Sequence, residues 1–167
     1  MPIAMSRSRP QTALGRTLTI LPLLAIPVII YNLVVLMSGS PPADVDALVS
    51  AAPQAATAFG NSVIDMTMLS GARLILTWGD MLLLVAIALL FVEVIKATHT
   101  GAQALSNHML SIGLFVVCLL EFLLFENFAT SVFFLLSAIV LIDGLAGIWV
   151  TTVSARRDFG VDEGFSS

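Results

Sequence analysis

Apolar residues gather into four long runs, Leu18–Met37, Leu74–Ala97, Met109–Phe125 and Ala129–Val153, separated by polar stretches. They are 20, 24, 17 and 25 residues long. At a rise of about 1.5 Å per residue, roughly 20 residues cross a hydrocarbon core of about 30 Å. The pattern predicts an all-α integral membrane protein: a four-helix transmembrane bundle with a short, partly helical extracytoplasmic segment. The predicted connections are residues 1–17, 38–73, 98–108, 126–128 and 154–167.

The fourth run organises the rest. It ends in Arg156-Arg157 and carries one residue that hydrocarbon does not tolerate, Asp143. Ala146 and Gly147 share its helical face, with Gly144 beside it. A charge at a helix centre costs about 2.5–3.5 kcal/mol even on the mildest insertion scale, so Asp143 is expected to face other helices as a neutral, hydrogen-bonded acid. Asn32, Ser137 or a backbone carbonyl are the expected acceptors for its hydroxyl.

The other runs have their own punctuation. Pro22 and Pro27 should bend the first span, because each removes a backbone donor and crowds the preceding turn. Asn32 is its one strongly polar residue, suited to an interhelical hydrogen bond. A basic start followed by Ser38-Gly39-Ser40 also matches a cleaved signal peptide. The apolar run, however, exceeds the about 7–15 residues of a signal h-region, so an uncleaved span is expected. In 38–73, Pro41-Pro42 stops the first helix and Asp44–Val49 forms a short one that Pro53 ends. Ser62 and Asp65 resemble a capping box, which predicts a helix from about Val63 lying at the interface or re-entering the bundle. Asn61, Asp65 and Arg73 argue against a complete span there. Glu93 and Lys96, three apart, can pair along one face of the second span. The loop 98–108 carries His99 and ends at His108, both expected to be solvated and, without a nearby carboxylate or cysteine, poorly suited to metal. Ser106 or Asn107 caps the third span, in which Ser111, Cys118 and Glu121 share a face about 80° wide. The turn Glu126-Asn127 makes spans three and four an antiparallel hairpin, and the tail Asp158–Ser167 is expected to be disordered.

Composition agrees with lipid as the main solvent: 58% of residues are hydrophobic and 11% charged, against roughly 25% charged in soluble domains. The net charge of −4 excludes nucleic acid as a partner, since phosphate binding needs clustered lysine and arginine. One cysteine, Cys118, excludes an intrachain disulfide and fits a small packing residue. Arg7, Arg9, Arg16, Lys96, Arg156 and Arg157 fall on one side of a four-span arrangement and only Arg73 on the other. The positive-inside rule therefore puts both termini in the cytoplasm and 38–73 outside a plasma or inner membrane. Trp78, Lys96, Trp149, Arg156 and Arg157 are the expected topology anchors.

No Gly-rich phosphate loop, G-x-S-x-G, H-E-x-x-H or C-x-x-C is present, so neither catalysis nor a cofactor or metal is expected. The chemistry that remains is polar groups within the spans: Asn32, Asp80, Glu93, Glu121 and Asp143. Helix rise sorts them into an outer tier (Asp80, Glu121, near Asn32) and an inner tier (Glu93, Asp143), roughly 15 Å apart. Between them only Cys118 and Ser137 are polar. The expected function is that of a non-catalytic accessory or assembly partner. Besides the lipid bilayer, its partner is another membrane protein or a second copy, met through the small residues of the fourth span. The alternative is a proton-coupled transporter or channel component using the buried carboxyls.

Overall fold

The computed structural model describes residues 21–38, 54–97 and 102–159; His99, Asp44–Val49 and the residues before 21 and after 159 lie outside them. The described chain is mostly helical: α1 (Ala25–Met37), α2 (Gln54–Gly60), α3 (Trp78–Ala97), α4 (Ala102–Leu124), a 3-10 turn (Glu126–Phe128) and α5 (Ser131–Phe159). Two strands, β1 (Ser62–Thr67) and β2 (Arg73–Thr77), stand between α2 and α3. Three helices are long and apolar enough to cross a membrane, over Trp78–Lys96, Ser106–Leu124 and Ser131–Val150. Their outward faces carry Leu84, Ile87, Phe91, Val117, Leu120, Leu123, Ile142 and Leu145, all exposed. So broad an apolar surface is what hydrocarbon favours and water penalises.

α5 lies in the middle, packed against both α3 and α4. Two glycines let α4 come close. A Cβ on Gly144 would stand 2.5 Å from Ile112 Cδ1 and 3.3 Å from the Ile112 backbone nitrogen, and one on Gly147 would overlap the His108 ring. At the other end Gly79 does the same for α3, where a Cβ would meet Val132 at 2.6 Å. The small-residue face of the fourth run is therefore occupied by α4 of the same chain. Leu82, Ala86, Cys118, Phe133, Leu136 and Val140 form the buried seam between the three helices.

The described part of the first run is shorter than the sequence pattern suggests. α1 has 13 residues, about 20 Å of rise. Pro22 sits before it, in a turn in which Ala25 N donates to Pro22 O at 3.0 Å. Pro27 lies in the first turn, where a missing N–H costs nothing because that donor has no helical acceptor. Neither proline bends the described helix in its interior. Tyr31 packs α1 onto its neighbours: it stacks on Phe59 of α2 with centroids 4.6 Å apart, meets Phe133 at 4.7 Å, and shares a 2.6 Å hydrogen bond with Thr130.

The helix expected from Val63 is instead an antiparallel hairpin. Ile64 pairs with Leu76, Asp65 with Ile75, Met66 with Leu74 and Thr67 with Arg73, and Val63 is the extra residue of a bulge. Gly71 has φ +81° and closes a three-residue loop, Leu69-Ser70-Gly71, across which Met68 N donates to Ala72 O at 2.8 Å. That is a standard short hairpin connection, closed by a left-handed glycine. Asp65 and Arg73 sit diagonally across the ladder as a bidentate pair, Nε to Oδ1 at 3.2 Å. Leu74–Thr77 accordingly belong to β2, and the following helix starts at Trp78. The capping box lies there and not at Ser62: Asp80 N donates to Thr77 Oγ1 at 3.2 Å while Thr77 N donates to Asp80 Oδ2 at 2.8 Å. α4 also begins earlier than expected, at Ala102. Residues 102–108 are thus helix and not loop, and neither Ser106 nor Asn107 is a cap. α5 continues past Val153 to Phe159, taking in the start of the expected tail.

Candidate functional site

Among the described residues, carboxyl groups bond across helices at two places. The first is where the end of α3 faces the start of α4 and the middle of α5. Glu93 has no exposed side-chain surface and accepts four hydrogen bonds from three donor groups. Lys96 Nζ lies 3.2 Å from both of its oxygens, Asn107 Nδ2 donates to Oε1, and the Leu23 backbone N–H approaches Oε2 at 3.4 Å. The Glu93–Lys96 pairing on one helix face thus exists, and Asn107 joins it from α4.

One turn along α4, Ser111 donates to Asp143 Oδ2 at 2.6 Å and lies 3.3 Å from the Asn107 carbonyl. A hydroxyl has a single proton, so these two acceptors compete for it. The partner of Asp143 is therefore Ser111, not Asn32 or Ser137. Ser137 Oγ donates to Phe133 O of its own helix at 2.8 Å, and Asn32 stands at the other polar group. Asp143 is 1% exposed and within electrostatic reach of Glu93, His108 and Lys96.

His108 corrects the expectation of a solvated loop residue. It lies within α4, is 1% exposed, and its ring rests against Gly147. Its two ring nitrogens, Asp143 Oδ1 and Asn107 Oδ1 are buried with no hydrogen-bond partner among the described residues. Each such atom costs about 1–3 kcal/mol if left dry. Among the described residues no group of three His, Cys, Asp or Glu is arranged to hold a metal ion.

The second place lies between α1 and α4. Asn32 Nδ2 donates to Glu121 Oε2 at 3.3 Å and to Val28 O of its own helix at 3.1 Å. Glu121 is half-buried on the wall of a groove of about 480 Å³, lined otherwise mostly by apolar side chains including Ile29, Leu33, Leu114 and Val117. Asp80 does not join this pair; its carboxyl is taken by the Thr77 cap. Between the two places Cys118 is fully buried and in hydrogen-bond reach of Ser137, a contact between α4 and α5. Of the expected anchors, Trp78 and Trp149 are exposed at opposite ends of the helical body. Arg156 and Arg157 lie in the last turn of α5.

Sequence reasoning missed His108, Asn107 and Tyr31 as organising residues. The signal for His108 was present in principle: a bulky polar residue on one helix and a glycine on its hairpin partner are complementary only if the two face each other.

Compared with known proteins, the chain matches no family model, no curated protein and no solved structure.

Proposed function

We propose that this chain is a non-catalytic multi-pass protein of the plasma or inner membrane, an accessory or assembly partner for another membrane protein. In this reading the first apolar run, Leu18–Met37, joins α3, α4 and α5 as a fourth span. Both termini are cytoplasmic, and the hairpin β1–β2 is outside. The observation that carries the proposal is how the intramembrane carboxyls are engaged. Glu93 accepts from Asn107, Glu121 from Asn32, Asp143 from Ser111 and Asp80 from Thr77. Three of these bonds join different helices, so the polar groups hold the body together.

With the small residues of α5 used within the chain, the surface left for a partner is the apolar stripe Phe134, Ile142, Leu145 and Trp149, all exposed and spaced along one side of the helix. Gentle purification from native membrane, with identification of what travels along, tests the reading. A partner lost on Leu145→Lys but kept on Asp143→Asn supports it, and a chain that always purifies alone counts against it. Reporter fusions at Ser50, Gly101 and Ser167 should read outside, inside and inside. An outside signal at Ser167 would sink the four-span arrangement.

A second reading, a proton-coupled transporter or channel component, has one observation in its favour. The unpartnered atoms of His108 and Asp143 lie close together beside the Glu93–Lys96 pair. Proton-dependent flux in liposomes that disappears on Asp143→Asn would favour it over the accessory role.

A further inference from the structure

We infer that the groove between α1 and α4 binds a membrane lipid with an amine-bearing headgroup, its chain along the apolar walls and its ammonium on Glu121. The inference does not depend on the accessory role or on any partner.

The lining of the groove limits the occupant. It offers about 480 Å³ between two helices, along walls that are apolar except at Asn32 and Glu121. Its position says what reaches it: α4 is one of the helices long and apolar enough to cross a membrane, and the groove opens on that helix's flank. Val28, Ile29, Leu33, Leu36, Leu114 and Val117 give a hydrocarbon chain contacts at no desolvation cost.

Charge complementarity selects the headgroup. Asn32 and Glu121 are the only polar residues of the lining. Glu121 stands one turn from the end of α4 at Leu124, within reach of headgroup level. A carboxyl offers about four acceptor sites, and Asn32 takes one of them at 3.3 Å. The two cations whose side chains are described, Arg73 and Lys96, are engaged by Asp65 and Glu93. An ammonium with N–H donors meets this need, and a quaternary ammonium has none to give.

The test is retention in nanodiscs built from equimolar phosphatidylethanolamine and phosphatidylcholine, read by native mass spectrometry. The wild-type chain should retain the ethanolamine lipid over the choline lipid by about tenfold, the scale of one charge-assisted hydrogen bond. Glu121→Gln should still retain lipid but without that preference. Leu114→Trp fills the groove and should retain neither; Ile29→Trp fills it from the opposite wall if the first variant does not fold. Equal retention of the two lipids by wild type, or an unchanged preference in Glu121→Gln, overturns the inference. Dodecylamine added to phosphatidylcholine-only nanodiscs separates the two sources of an amine. Retention of it where the ethanolamine lipid is not retained removes the membrane lipid as occupant. A photo-crosslinker at Ile29 that captures a protein instead of a lipid in native membrane also overturns the inference.

Discussion

The α4–α5 interface and the α1–α4 groove each join two helices through a hydrogen-bonded carboxyl, and they do so in opposite ways. At the first, Gly144 and Gly147 remove side-chain bulk, Ile112 and His108 fill the space, and Ser111–Asp143 is sealed from the surroundings. At the second no glycine intervenes, the helices stand apart, and Asn32–Glu121 is only half-buried on a groove wall. The difference shows what a polar pair does in an apolar medium. Where backbones come close it fixes helix rotation, because one register alone satisfies both groups. Where they stay apart it leaves acceptor capacity for something else.

The largest expected effect breaks the close interface. Gly147→Leu places a branched side chain where the buried His108 ring lies, so the ring or α4 must move to admit it. A loss of about 3 kcal/mol, the upper part of the usual range for overpacking, is expected in reversible unfolding in mixed micelles. Gly113, with no neighbouring atom near a Cβ position, is the control: Gly113→Ala on the same helix pair should not destabilise. Equal losses at the two sites would mean that glycine content, and not close approach, governs this interface.

How much of this could be read from the sequence depends on what each feature requires. The three long helices were legible because hydropathy over about 20 residues needs no knowledge of neighbours. The start of α3 was placed too early because Leu74–Thr77 continue the apolar run without interruption, although Thr77 and Asp80 carry the capping spacing that marks the boundary. The hairpin was misread because Ser62 and Asp65 show the same spacing, while the turn signal Ser70-Gly71 was passed over. Glu93 with Lys96 was visible as a spacing on one helix. Ser111 with Asp143 was not, because 32 positions separate them and only the rotation of two packed helices brings them together. His108 was assigned to a loop because its polarity outweighed the helix-favouring residues around it. The open groove follows from where two helices fail to touch, for which the sequence carries no local sign.

A smaller effect sharpens the comparison at Asp143. Asp143→Asn keeps an oxygen for Ser111 and nearly the same volume, so stability and insertion should change by less than about 0.5 kcal/mol. Asp143→Leu removes the acceptor and adds bulk beside α4. Ser111 can still donate to the Asn107 carbonyl at 3.3 Å, so its hydroxyl is not stranded. The expected loss is therefore about 1–2 kcal/mol, less than at Gly147. Matched unfolding curves of the two variants measure the difference. An Asn variant as unstable as the Leu variant would show that the ionisable group itself holds the interface.

The smallest effect is expected at Asn32. Its amide reaches Glu121 at 3.3 Å and Val28 O of its own helix at 3.1 Å, so part of its hydrogen bonding is local to α1. Interhelical hydrogen bonds in membrane proteins average about 0.6 kcal/mol in double-mutant cycles, because groups freed by mutation find other partners. At a half-buried, groove-lining pair that replacement is easiest, and Asn32→Ala should cost no more than this average. The cycle Asn32→Ala with Glu121→Ala should give a smaller coupling than the cycle Ser111→Ala with Asp143→Ala. Burial separates the pairs: Glu121 is half-buried on an open groove wall, whereas Asp143, 1% exposed, has only the groups around it in α3, α4 and α5. Equal couplings would mean that close backbone approach adds nothing to a polar contact in this protein, and the contrast between its two interfaces would then rest on packing alone.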